Sequence, residues 1–242
     1  MKRFTLPFPC LIPIKQIMEE KYLTYVIINP CDGEPLPPGI FMYGGPWKYL
    51  TFLNLVLQMV FFGLAAACDF QSSLGKGMAK QRNLCKDLLF SVFAFPVGMF
   101  VVLLFWVIFT YDRELVYPVS MDDFFPPWMN HAMHTLVLPF LLGEILIQPH
   151  KYPKTKNGLA ALGIVGIAYL SWVVWIYLAV GIWVYPLLGL FSTPGIAGLF
   201  FCNMTIVTLL YLLGQTLNEQ VWGYRAVNST SSSGKRKTRV AD

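Results

Sequence analysis

A hydroxyl becomes a useful nucleophile only when a base beside it takes its proton. Few residues in this chain could form such a pair. Of three histidines in 242 residues, His131 and His134 lie three apart at the head of an apolar segment running from 136 to 147. An imidazole just inside a hydrocarbon segment is costly, and histidine is the side chain best suited to move a proton near neutral pH. Its counterpart should be a hydroxyl that also enters an apolar segment. Thr51 meets that condition. Thr51, Asn54 and Gln58 follow at i, i+3 and i+7, which sets all three on one helical face, and polar residues in a span face the bundle interior. The chemistry available to this set is acyl transfer. Thr51 would attack a carbonyl, His134 would take its proton and return it to the leaving alcohol, and Asn54 or Asn130 would donate to the tetrahedral oxyanion. His131 stands beside them as support, with Thr135 next to the two histidines. Glu144 lies ten residues past His134, roughly 15 Å deeper by helical rise, too far to orient the imidazole.

Each of these residues also has a plainer role. A threonine early in a membrane helix bonds the i−4 carbonyl of its own helix. A buried histidine ties neighbouring helices together, and so do paired amides such as Asn54 and Gln58. His131 and His134 at i, i+3 supply two metal ligands without a third, so no metal is expected. No cofactor loop appears either: Walker, GxSxG and HExxH patterns are all absent. Glu144 and Asn203 would mark a polar pathway if the chain were a transporter or channel. Loop 69–87 and the C-terminal tail would carry the interactions of a signalling scaffold.

The elements that must position these groups are membrane helices. The chain is 56% hydrophobic and only 13% charged, where soluble domains carry roughly 25%. Apolar runs near twenty residues recur, long enough to cross a hydrocarbon core of about 30 Å, and their continuity excludes an alternating-strand barrel. The expected fold is an all-α polytopic membrane helical bundle. Five spans are clear, at 47–68, 88–110, 131–147, 158–180 and 195–213, and a sixth at the N-terminus is left open. Trp47, Trp106, Trp128, Trp175, Trp183 and Trp222 fall near span ends, where interfacial anchors belong. Pro96 and Pro139 fall inside spans and should kink them.

Residues 1–46 form an atypical, proline-dense segment whose longest apolar run is too short to span, with no cleavable signal peptide. Residues 47–223 are the transmembrane helical domain. Residues 224–242 read as a disordered basic tail. The five cysteines show no paired spacing, so neither a zinc site nor a disulfide framework is expected, though Cys68 and Cys85 flank a juxtamembrane loop where palmitoylation occurs. The net charge of +5 resides in loops and tail, so it speaks to orientation and not to nucleic acid. Basic residues crowd loops 69–87 and 148–157 and the tail, while 111–130 is acidic and 181–194 has no base. That alternation puts the basic loops and the tail on the cytoplasmic side of an integral multi-pass membrane protein. Thr51 then enters its span from the outer side, as His134 does, each about 5 Å inside the same leaflet by rise. Val116-Tyr117-Pro118 and Val184-Tyr185-Pro186 each follow an outward-going span, a hint of a duplicated helix pair.

Several stretches, in order, carry a family likeness: Gly44 through Phe52, Ala94 through Gly98, Tyr111 through Pro118, Trp128 through Thr135, Trp183 through Pro186 and Tyr211 through Gly214. Over residues 43–223 the chain resembles the androgen-induced protein family. The resemblance implies a multi-pass hydrolase of fatty acid esters of hydroxy fatty acids, drawing lipid substrate from the bilayer. It also implies that the family's catalytic threonine and histidine fall on Thr51 and His134. Residues 1–42 depart from the family pattern, which has a first span there.

Overall fold

The computed structural model describes residues 43–73, 80–119, 122 and 126–239. Every regular element among them is helical. A short 3-10 turn, Gly45–Lys48, leads into α1 (Leu50–Ser73). After the first basic loop, α2 (Lys80–Leu88) widens through a π-helical stretch, Leu89–Ala94, into α3 (Phe95–Tyr111). Then come α4 (Pro127–His134), α5 (Val137–Ile147), α6 (Thr155–Val180) and α7 (Thr193–Arg239). Five helical stretches are long and apolar enough to cross a membrane: Leu50–Phe70, Leu84–Tyr111, Pro127–Ile147, Thr155–Val180 and Thr193–Gly223. The expected polytopic bundle is therefore present. The open sixth span and most of the N-terminal segment lie outside the described residues.

The boundaries differ from expectation in instructive ways. The first helix begins at Leu50, because Trp47 belongs to the preceding 3-10 turn. Thr51 is thus its second residue. The third span begins at Pro127, which makes His134 its eighth residue and unseats the simple matching of depths by rise. The last helix continues to Arg239, so the tail expected to be disordered has helical backbone; extending an existing helix needs no new nucleus.

Both internal prolines distort their spans, each by a different device. Pro96 has no N–H for the preceding turn, and the wide π-helical stretch stands directly before it, with Phe95 N–H donating five residues back to the Phe90 carbonyl. Pro139 splits the third span. At the break the His131 carbonyl accepts from both Thr135 N–H (2.8 Å) and Leu136 N–H (3.0 Å), and Leu138 N–H turns back to the Thr135 carbonyl at 3.2 Å. Trp106 Nε1–H donates to the His134 carbonyl at 3.0 Å. Thr135 and His131 clip the same turn, Oγ1 to Nδ1 at 3.1 Å. The break is therefore a satisfied structure.

The core lies where α1, the π-helical stretch, α3, α5 and α7 converge, around Phe61, Phe90, Phe95, Leu141 and Tyr211. Close approach there depends on Gly98. A Cβ at that position would lie 2.6 Å from a Leu141 methyl and 2.7 Å from Gln58 Nε2, so only glycine admits both neighbours. Gln58 uses the proximity to donate to the Ala94 carbonyl at 2.9 Å and to Asn54 Oδ1 at 3.0 Å. The amide stripe on α1 thus fastens the first helix to the wide turn of the second span.

Candidate functional site

Thr51 sits in the first turn of α1, and the chain holds that turn open. The opening N–H groups of a helix have no intrahelical acceptor. Leu50 N–H donates instead to the Tyr185 hydroxyl at 2.8 Å. Tyr169 donates to the Lys48 carbonyl at 3.0 Å, and the two phenols are 3.0 Å apart. One proton arrangement fits all three contacts: Tyr185 gives its proton to Tyr169, which gives its own to Lys48. The second Val-Tyr-Pro motif therefore caps the helix that carries Thr51. Tyr117, from the first motif, packs against Phe105 and Phe109, and its hydroxyl has no partner among the described residues. The two copies are not structural equivalents.

Thr51 does not bond back to the carbonyl four residues earlier. That carbonyl, of Trp47, accepts from Trp172 Nε1 at 3.3 Å. Thr51 Oγ1 lies 3.2 Å from His134 Nε2. The imidazole is 3% exposed and stacked on Phe105, ring centroids 3.5 Å apart and planes within 5°. Its other nitrogen, Nδ1, lies 2.7 Å from Asn130 Oδ1 and 3.1 Å from the Asn130 carbonyl. A backbone carbonyl only accepts, so Nδ1 carries the proton and Nε2 presents its lone pair to the threonine hydroxyl. The contact is thus oriented Thr51 O–H to His134 Nε2, with Nδ1–H anchored to Asn130 one turn earlier.

The remaining sequence candidates separate. Asn130, considered as an oxyanion donor, lies on the far side of the imidazole from Thr51 and serves its Nδ1. Asn54, one turn below Thr51, is fully buried; its Oδ1 accepts from Gln58, and its Nδ2 has no partner among the described residues. That unpartnered Nδ2 is free to donate. His131 is exposed, stacks on Trp106 and bonds Thr135, away from Thr51. No cluster of three metal-ligating side chains occurs among the described residues. Cys68, a palmitoylation candidate, is 1% exposed and closed to modification in this packing, whereas Cys85 is exposed.

Thr51 opens on a cavity of about 230 Å³ between α1, α3, α6 and α7. Its wall is aliphatic and aromatic, with Val97, Leu104, Phe105, Leu162 and Val207 among its lining. Thr51, Tyr169, Tyr185 and Asn203 are the only described lining side chains that carry nitrogen or oxygen. Such a space suits hydrocarbon chains with one polar junction.

A second polar centre, at the other end of the bundle, escaped the sequence reading. His150, the third histidine, is 3% exposed and lies between two carboxylates, Asp87 Oδ1 at 3.2 Å from Nδ1 and Glu144 Oε1 at 3.2 Å from Nε2. Phe90 stacks on the ring at 4.1 Å, and Asn218 bonds both the His150 N–H and its carbonyl at 2.9 Å. Lys86 bonds Gln148, which also reaches Asp69. A signal existed: Glu144 inside a span demands a partner, and His150 follows six residues on. Glu144, the anchor of the transport reading, is thereby engaged in holding the loop after α5.

Burial alone would lower the His150 pKa, but hydrogen bonds and charge from Asp87 and Glu144 outweigh it and raise the imidazole above its ordinary value. A raised native pKa adds stability that is complete below the unfolded value, about 6.5, and is lost as pH climbs through the native one. The melting temperature of the detergent-solubilised chain should therefore fall as pH rises above about 6.5. His150→Leu, which strands two buried carboxylates, should cost about 3 kcal/mol and lower it by roughly 6–12 °C at pH 6. Indistinguishable wild-type and variant melting curves across pH 6–9 would refute the ion-pair role.

Taken together, these observations define a multi-pass helical membrane protein with a buried hydroxyl–imidazole–amide chain at the wall of an apolar cavity. The model of the FAR-17a/AIG1-like protein family matches residues 8–219, and this chain belongs to that family. The match reaches back to residue 8, well before the resemblance from 43 onward, so most of the segment expected to depart from the family pattern falls within the match. Androgen-induced gene 1 protein of Homo sapiens is 46% identical over 222 residues, covering 88% of this chain and 92% of that protein. Androgen-dependent TFPI-regulating protein of Homo sapiens is 41% identical over 203 residues (84% and 88%), and its Rattus norvegicus counterpart 46% over 184 (76% and 80%). No solved structure matches the chain.

Proposed function

We propose that this chain is an integral-membrane lipid esterase that hydrolyses fatty acid esters of hydroxy fatty acids through an acyl-threonine. The observation that carries the reading is the oriented contact from Thr51 to His134, opening on an apolar cavity. Thr51 Oγ1 attacks the ester carbonyl as His134 Nε2 takes its proton. The C–O bond to the leaving alcohol breaks, and His134 returns the proton to that oxygen. Water, deprotonated by the same Nε2, then releases the acid and restores Thr51. Asn130 holds the imidazole in the required tautomer and acts as a positioning residue. Asn54, the next polar residue on the face of α1 that carries Thr51, is the oxyanion donor of this reading, through its unpartnered Nδ2. Residues 47–223 form the hydrolase domain, and the basic loops and tail face the cytoplasm.

The position of Thr51 on the cavity wall favours an ester buried in mid-chain. Successive spans reverse direction, so α3 and α7 run antiparallel, and Phe95 of α3 touches Gly214 of α7. Ten residues along each from that contact, about 15 Å of rise, brings Phe105 level with Met204. Phe105 stacks on His134, while the cavity continues past this level toward Val97 and Val207 on one side and Ile108 and Ile196 on the other. Hydrocarbon space on both sides of the nucleophile suits a branched ester better than a terminal one.

The test is release of acid and hydroxy acid from such an ester by membranes expressing this chain, with acylated Thr51 trapped and identified by mass spectrometry. Product formation with acyl-Thr51 is expected. Intact, well-expressed chain that releases no acid would overturn the reading.

A further inference from the structure

Asn203 belongs to no contact described so far. It lines the same cavity as Thr51, about three turns into α7, and among the described residues its side chain makes no hydrogen bond. A primary amide facing an apolar, membrane-buried space without a partner is unfavourable unless a bound molecule supplies one. The register that sets Met204 level with Phe105 sets Asn203 beside that level as well, within one turn of the His134 ring. The amide and the Thr51 hydroxyl thus line one stratum of the cavity, on different helices.

We propose that Asn203 holds the oxygen of a lipid alcohol, and that the site therefore also transfers the acyl group from one lipid hydroxyl to another. This inference rests on the acyl-threonine reading. Once the first alcohol has left, the acyl-Thr51 ester faces walls of hydrocarbon, where water is scarce and hydrolysis of a reactive intermediate is slowed. A hydroxy fatty acid enters the same space by burying its chain, and the Asn203 amide orients its hydroxyl. His134 Nε2 takes the proton of that hydroxyl as its oxygen bonds to the acyl carbon. The bond from the acyl carbon to Thr51 Oγ1 breaks, and the proton returns to Thr51. No group beyond the two lipids is consumed: one ester forms as one is cleaved. This is the first half-reaction run backwards with a different alcohol. Its share of turnover is set by how often an alcohol, instead of water, occupies the place beside the acyl group.

The experiment uses full-length chain in membranes, a branched ester with an isotopically labelled acyl group as donor, and an unlabelled hydroxy fatty acid of different chain length as acceptor. Labelled acyl on the new acceptor should appear in proportion to acceptor concentration, at the expense of labelled free acid, and should vanish in Thr51→Ala. Asn203→Leu should lower the ratio of transfer to hydrolysis by about tenfold, and Asn203→Gln by less. Because the readout is a ratio within one sample, it is insensitive to how much variant folds. Donor consumption with acyl-Thr51 but no new ester at any acceptor concentration would overturn the inference and leave the hydrolase standing. An unchanged ratio in Asn203→Leu would likewise overturn the role of Asn203. Absence of acyl-Thr51 altogether would overturn the hydrolase reading, and this inference with it.

Discussion

Thr51→Ala should abolish release of acid from a branched hydroxy-fatty-acid ester, and His134→Ala should lower it to the same residual level. A general base supplies about 10²–10⁴-fold, and without the hydroxyl there is no acyl-threonine. Residues that act as a unit lose their effect together, so the double variant should be no worse than either single one. Thr51→Ser retains the hydroxyl but loses the methyl that restricts its rotation, and should keep measurable turnover. Initial rates normalised to membrane-extracted protein decide the matter. Folding is not in question for Thr51→Ala, which removes one hydroxyl and one methyl from a cavity wall. Wild-type turnover in either alanine variant would eliminate the dyad.

The second large effect belongs to Asn130. In Asn130→Leu the imidazole keeps the backbone carbonyl at 3.1 Å as an acceptor for Nδ1–H and loses the shorter contact to the side chain. The tautomer is then held by one bond in place of two. A drop in kcat of about 10²-fold is expected, smaller than removal of the imidazole because the backbone acceptor remains. KM should move little, since Asn130 does not line the cavity. Asn130→Asp restores a side-chain acceptor and should recover a large part of the rate. Equal losses in kcat and in folded yield for both variants would reduce Asn130 to a packing role.

How legible was this site in the sequence? The bundle was, because five uninterrupted apolar runs admit one class of solution. The nearness of Thr51 and His134 was readable as a topological statement, two groups entering from one side, although the depths on which it was based were off by several residues. Helix starts are set by caps and prolines: the Gly45–Lys48 turn delays α1, and Pro127 advances the third span. Asn130 was legible by type but not by role, since whether an amide serves an imidazole or an oxyanion depends on which side of the ring it occupies. Asp87 and His150 went unread, and Glu144 was read without its partner: the six-residue spacing to His150 is visible in the chain, but Asp87 comes from a distant segment and only packing around Phe90 brings it to the imidazole. Tyr185 appeared as half of a repeated motif, yet its hydroxyl caps a helix 135 residues earlier in the chain, a contact no periodicity encodes.

That the imidazole leans on an amide also bears on how the polypeptide is made. A carboxylate in that place would ride toward the bilayer in the first turn of the third apolar segment, where a charge still adds to the cost of insertion by the translocon, though less than the roughly 2.5–3.5 kcal/mol of an aspartate at mid-helix. Asparagine brings no charge. The helix that delivers His134 can therefore leave the ribosome, be recognised as hydrophobic and move sideways into lipid before the last two spans, which wall the cavity beside Thr51, have been synthesised.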